Sequence, residues 1–210
     1  MFALTEEDLG RRILDCPGGA AGFTAEVSGR GGDVTACDIA YFDRGIERVA
    51  AAAMAEADRG NRYIRERADK YRWTFFADPD DHRRARHQSV EQFVAHSRSC
   101  PQRYIAGRLP ALPFSDNSFE LVLSSHLLFS YADDLDYDFH RQAITELVRV
   151  ATAEVRLFPL MPVGSSARYP QLEELRADLS RSGTQSRIVQ VEYEFQVGGN
   201  EMLVCEVGSA

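Results

Sequence analysis

The apolar positions of this chain form short unbroken runs, separated by loops and by stretches with helical spacing, and that alternation predicts an α/β protein. Ile13-Leu14 is the first run and ends at Asp15; Asp33–Cys37 is the second and ends at Asp38. Between them lie a loop of small residues, Cys16-Pro17-Gly18-Gly19-Ala20-Ala21-Gly22, a helical segment over Phe23–Ser28 and a glycine-rich turn at Gly29–Gly32. Tyr104-Ile105-Ala106, Leu121–Leu123 and Glu154–Leu160 read as the third, fourth and fifth strands. Arg187–Val197 and Glu201–Val207, joined through Gly198-Gly199-Asn200, predict a closing hairpin.

Helices fill the intervals. Thr5 followed by Glu6, Glu7 and Asp8 predicts a helix start, with acids at the positive end. From Asp43 to Lys70, Ile46, Val49, Ala50, Ala53, Met54 and Ala57 share one face, and Gly60-Asn61 predicts a break. Asp78 as a cap with Pro79 at the first helical position predicts a helix to Arg98. His82, Arg83, Arg84, Arg86 and His87 on it read as a solvated face, with a site for an anionic substrate group as the alternative. Asp133-Asp134 predicts the start of a helix through Phe139, Ile144, Leu147 and Val148; Gln171–Ser182 predicts the last, stopped by Gly183. Residues 41–102 are too long for an ordinary connection, so they read as a mainly helical insertion, and their aromatics, Trp73 among them, as an anchor or a lid.

Strand, small-residue turn, helix, strand and acid together make the first half of a nucleotide-binding βαβ unit. Small residues let backbone N–H groups at the helix start approach a ligand, and a carboxylate at the second strand end suits the two vicinal hydroxyls of a ribose. Asp15 and Asp38 are 23 positions apart (38 − 15), close to the expected spacing. A G-x-G-x-x-G of the NAD type is absent.

Composition narrows the field. A net charge of −8 argues against a surface that coats nucleic acid. The four cysteines are dispersed and no spacing suggests a metal site; Cys16 and Cys37, at neighbouring strand ends, read as small core residues. No signal peptide and no apolar stretch long enough for a membrane span is found, so the cytoplasm is the expected location.

Two segments carry a family resemblance. Aligned on Asp15, the first loop is similar to D-x-G-x-G-x-G, with Pro17, Gly19 and Ala21 at the glycine positions. Downstream, Gly107-Arg108-Leu109-Pro110-Ala111-Leu112-Pro113-Phe114-Ser115-Asp116-Asn117-Ser118-Phe119-Glu120-Leu121-Val122-Leu123-Ser124 is similar to G-D-A-x-x-L-P-F-x-D-x-S-F-D-L-V-x-S. The chain thus resembles class I (Rossmann-like) S-adenosylmethionine (SAM)-dependent methyltransferases, including unassigned bacterial proteins with that domain. The resemblance implies one domain over 1–210, a three-layer sandwich on a seven-stranded, mostly parallel sheet whose last strand is antiparallel, and a small-molecule acceptor. It implies SAM contacts from Asp15, Pro17, Gly18, Gly19, Asp38, Ile39, Arg108, Leu109 and Ser125, the last through its carbonyl. Arg108 stands where the family has an acid that accepts from the adenine amino group, a part arginine cannot play; Phe129 and Ser130 stand where glutamate and histidine are common. His126, just past the central strand, is the candidate base, and Trp73, Tyr131, Tyr137 and His140 are candidate acceptor-pocket residues. A non-catalytic relative that binds SAM or another adenosine ligand, as a sensor or partner subunit, is the alternative; an NAD-dependent oxidoreductase lacks its fingerprint.

Overall fold

The structure, a computed structural model, describes residues 1–42 and 45–208. Seven strands form one sheet: β1 (Arg12–Asp15), β2 (Asp33–Asp38), β3 (Tyr104–Ala106), β4 (Phe119–Ser125), β5 (Ala151–Phe158), β6 (Gln185–Gln190) and β7 (Glu201–Glu206). Their order is β3-β2-β1-β4-β5-β7-β6, parallel except that β7 runs antiparallel to both β5 and β6. Strand order reverses between β1 and β4, which opens a crevice at their carboxyl ends.

Side chains alternate between two cores, as the pleat requires. Leu14, Val122, Val155, Leu157 and Leu203 face α5 (Tyr137–Val150) and α6 (Leu172–Arg181). Ile13, Val34, Leu121, Leu123 and Val204 pack on the other side with Val27 of α2 (Phe23–Gly29). A short α1 (Glu6–Leu9) opens with a Thr5–Asp8 capping box. Asp8 also takes a buried Arg156 from β5, at 3.0 and 3.1 Å. Burial pushes the Asp8 carboxyl up, but bonds from Thr5 and Arg156 outweigh it and hold it below its ordinary value. Cys16, Cys37 and Cys205 are buried and free. Among the described residues no helix is long and apolar enough to cross a membrane.

Four boundaries differ from the sequence expectations. The predicted break at Gly60-Asn61 is absent: α3 runs unbroken over Ile46–Arg65. Asn61 is buried and donates to the Pro79 carbonyl at 2.6 Å, so packing of α3 on α4 (Pro79–Ser99) outweighs the roughly 1 kcal/mol glycine cost. The expected helix start at Asp43 lies outside the described residues. The helix expected from Asp133-Asp134 begins at Tyr137, because Asp136 is the cap, accepting from the Phe139 N–H at 2.7 Å. The fifth strand lies earlier than expected, starting at Ala151 directly after α5. The closing strands do not form a tight hairpin: β6 stops at Gln190, Val191 still donates to the Asn200 carbonyl, and the segment between them reaches out so that residues 195–197 pair with 70–72. Arg72 donates to the Phe195 carbonyl at 2.7 Å and Val197 to that of Lys70 at 3.0 Å.

The segment between β2 and β3 therefore has two parts. α4 packs beside α2 as a crossover helix, and α3 is laid along α4. The aromatic stretch between them joins the 191–200 excursion, where Phe195 contacts Tyr71, Trp73, Phe76 and His82.

Candidate active site

Asp15 and Asp38 close β1 and β2 side by side at the crevice, and both are buried. Their surroundings differ. Asp38 accepts from the Gly19 N–H at 2.8 Å and, as cap of the short Ile39–Tyr41 turn, from the Ala40 N–H at 2.7 Å. Asp15 has no hydrogen-bond or ion-pair partner among the described residues. Burial, then the neighbouring Asp38 charge, raises its carboxyl to about 7. A carboxylate in that position calls for a cation.

The loop of small residues is bonded to its own fold. Gly18 donates to the Cys37 carbonyl at 3.0 Å and Ala21 to that of Gly18 at 3.2 Å. A Cβ on Gly18 would stand 2.7 Å from the Ala36 Cβ and 3.2 Å from the Tyr41 hydroxyl, so glycine here serves close approach to β2. Gly22, at the start of α2, donates to the Ser89 hydroxyl of α4 at 2.7 Å, and a Cβ there would stand 3.3 Å from that of Gln92. Tyr41 spans the loop: its hydroxyl donates to the Gly19 carbonyl at 2.5 Å while its ring stacks on Phe93 of α4. Sequence reasoning missed this tyrosine, because nothing in the spacing separates it from an ordinary post-strand aromatic.

The remaining candidate cofactor residues gather around this loop and its neighbours. Pro17 sits between Cys16 and Gly18; Ile39 is 56% exposed just past Asp38; Leu109 is buried and Arg108 exposed after β3; Ser125 is half-buried at the end of β4. Arg108 has no ion-pair partner among the described residues.

His126 follows Ser125 with a left-handed backbone, φ 53°, and its N–H donates to the Phe158 carbonyl at 2.8 Å. A non-glycine residue held there is strained, a condition concentrated at functional sites. His126 is exposed as a residue, yet the protein packed around its ring, then the Arg86 charge, lowers its imidazole to about 4, so it is neutral at physiological pH.

The expected acceptor-pocket residues separate. His140 is fully buried, its ring nitrogens 2.7 and 3.0 Å from the carbonyls of Asp136 and Leu128, and it stacks against Phe129 and Tyr169. Tyr137 donates to Asp178 of α6 at 2.9 Å. Both belong to the α5–α6 layer, since their side of α5 faces that core rather than the crevice. Phe129 is core for the same reason. Tyr131 is 50% exposed in the loop after β4. Trp73 is an anchor: its indole N–H donates to the Ala68 carbonyl at 3.1 Å and its ring packs edge-on to Phe195.

Two surface hollows lie elsewhere. One of about 220 Å³ sits at the amino ends of β1 and β2, between Glu6 and Arg30; another of about 440 Å³ lies over Arg83, His87 and Glu91 of α4. Neither contains the buried carboxylates, and the chemistry stays with the crevice.

No family model matches the chain. It is 28% identical over 205 residues to the uncharacterised protein MJ0045 of Methanocaldococcus jannaschii, covering 97% of this chain and 89% of that one. Among solved structures, it is similar to a SAM-dependent methyltransferase from Aquifex aeolicus, with TM-score 0.50, 14% identity, and coverage of 99% of this chain and 86% of that one. It is likewise similar to the magnesium protoporphyrin IX methyltransferase of Synechocystis PCC 6803 with bound SAM, at TM-score 0.50 and 11% identity, covering 97% of this chain and 73% of that chain. Identities this low speak to architecture, and together with the sheet order they establish that the chain has the class I methyltransferase fold.

Proposed function

We propose that this protein is a SAM-dependent methyltransferase acting on a small-molecule acceptor. The observation that carries the reading is Asp15: a buried carboxylate without a partner, at the strand switch point beside a second carboxylate, fits the ammonium of a methionine moiety. Asp38 has two N–H groups on it, but an ionised carboxylate offers about four acceptor positions, which leaves room for ribose hydroxyls. Gly19 and Pro17 shape the floor, Ile39 and Leu109 offer apolar contact to an adenine, Arg108 stacks on it, and the Ser125 carbonyl accepts from the ammonium.

When bound, SAM supplies an electrophilic methyl group on a sulfonium. The chain's part is mostly positioning. His126, neutral and facing the crevice, takes up the proton that an O–H or N–H acceptor loses. The stretch 71–98 covers the acceptor side, held there by the Phe195 cluster and by the Ser89–Gly22 bond.

A second reading, a non-catalytic binder of SAM or another adenosine ligand, draws on the loop's self-satisfied N–H groups and on Tyr41 across it. Calorimetric titration with SAM, S-adenosylhomocysteine (SAH) and NAD tests both. Binding of SAM and SAH but not NAD is expected. Failure of both sulfur ligands would remove the methyltransferase reading; binding of SAH far more tightly than SAM, with no turnover across an acceptor panel, would favour the second.

A further inference from the structure

The inward stripe of α4 has a gap. His82, Val90, Phe93 and Ser97 are buried at helical spacing, and Arg86, four residues from His82 and from Val90, belongs on the same face. Yet Arg86 is exposed. Its side chain therefore reaches solvent at that turn, between the Phe195 cluster on one side and the Ser89–Gly22 contact on the other.

His126 and Tyr193 both pack on Phe158, with ring centroids at 5.8 and 5.9 Å, and Tyr193 is two residues from Phe195, on which His82 of the same α4 stripe stacks. The Arg86 charge is felt by side chains on three separate elements. It lowers His82 and His126, after burial, both to about 4, and it opposes the burial that raises Tyr193 to about 12. All three are thus neutral at physiological pH. The other arginines on this turn are paired, Arg83 with Asp58 at 2.6 Å and Arg84 with Asp81 at 3.1 Å. Asp81, the carboxylate felt at His82, is the one held by Arg84. Arg86 has no ion-pair or hydrogen-bond partner among the described residues. The buried Nδ1 of His82, one turn away, also lacks a partner. An exposed, unpaired guanidinium bordered by neutral aromatic rings suits a planar or tetrahedral oxyanion carried on an apolar body. The chain's overall charge of −8 makes this a local property rather than a general attraction for anions.

We propose that Arg86 binds an anionic group, carboxylate or phosphate, of the methyl acceptor at the surface between α4 and the end of β4, seating the acceptor against His126. As an assignment of acceptor class it rests on the methyltransferase reading. Arg83, turned to Asp58 of α3, and Arg84, paired with Asp81, take no part.

Titration of the full chain with benzoate, phenyl phosphate and the neutral control phenol, followed by NMR of the histidine rings, tests the assignment in wild type, Arg86→Gln and Arg83→Gln. At least one anion is expected to bind saturably and to move the His126 and His82 resonances. Its affinity should fall at least tenfold in Arg86→Gln, stay within about twofold in Arg83→Gln, and exceed that of phenol. The preferred probe tells carboxylate from phosphate. No saturable binding of either anion, equal loss in both variants, or phenol binding as well as the anions overturns the proposal. A parallel SAH titration keeps the two ideas apart: absent SAH binding removes the methyltransferase reading, while Arg86-dependent anion capture is decided by its own result.

Discussion

The two halves of the crevice are built on opposite principles. Around β1 and β2 most polar groups satisfy one another: Gly18 on Cys37, Gly19 on Asp38, Gly22 on Ser89, Tyr41 on Gly19, with Asp15 the carboxylate left over beside the unpaired hydroxyls of Thr24 and Ser28. Around α4 and the end of β4 fewer are paired: among the described residues His82 Nδ1 is buried without a partner, and the exposed side chains of Arg86 and His126 have none. Buried polar groups left unpaired cost stability unless something later pairs them. The contrast separates a half whose shape is fixed before any ligand arrives from a half that a ligand completes. It also explains why Asp15 stands out: within a satisfied region, one orphaned carboxylate marks where the ligand's charge must go.

Removing Asp38 breaks the satisfied half and should have the largest effect. Hydrogen bonds to a charged group contribute roughly 1.5–3 kcal/mol each, so Asp38→Ala should weaken SAH binding about tenfold to several hundredfold at 1.4 kcal/mol per decade. The sequence places Asp38 at a strand end facing a crevice, where a carboxylate is expected to be solvated and its loss to leave apo stability unchanged. The structure corrects that, because Asp38 is buried and holds the N–H groups of Gly19 and Ala40. Urea melts should therefore show a loss of about 1–3 kcal/mol for Asp38→Ala, and less for Asp38→Asn, which keeps one acceptor.

Asp15 should behave in the reverse sense. Its folded carboxyl titrates at about 7, above the ordinary 3.8. The stability it contributes is thus full below pH about 4 and lost as pH rises through about 7. Asp15→Asn should remove that loss, making the unliganded protein more stable at pH 8 than wild type by a few kcal/mol, at about 1.4 kcal/mol per unit. Chemical denaturation at pH 4 and pH 8 reads the difference; an equal effect at both would show that Asp15 is not desolvated.

Smaller effects sharpen the picture. Tyr41→Phe frees the Gly19 carbonyl and should cost about 1 kcal/mol of stability while tightening SAH binding about twofold; a tenfold weakening would make the hydroxyl a ligand contact instead. Arg108→Asp restores an acceptor after β3 and should tighten SAH binding by a few-fold. Much weaker binding would mean the guanidinium makes a contact of its own.

Much of this was legible in the chain because β1 through β4 are short apolar runs ended by turn chemistry, which local pattern reports directly. Helix α4 was likewise marked by Asp78-Pro79. Tertiary packing decided what local pattern could not. Asn61 carries α3 past its glycine by bonding to Pro79; Phe195 draws residues 191–200 out of the sheet onto the aromatic stretch; His140 and Tyr137 look like pocket aromatics but lie on the face of α5 that meets α6. The signal for Arg86 was present, since His82, Arg86, Val90 and Phe93 keep helical spacing, but only the exposure of Arg86 within that stripe gives it meaning.

The central claim is that Asp15 receives the positive end of the cofactor, and proton-linked calorimetry tests it most directly. SAH is titrated into wild type and Asp15→Asn at pH 6, 7 and 8, in buffers of different ionisation enthalpy. With a carboxyl near 7 becoming ionised on binding, wild type should release about half a proton per site at pH 7 and bind more tightly at pH 8 than at pH 6. Asp15→Asn should show neither and bind at least about tenfold more weakly. Equal affinity in the two proteins, with no proton released, would contradict the account.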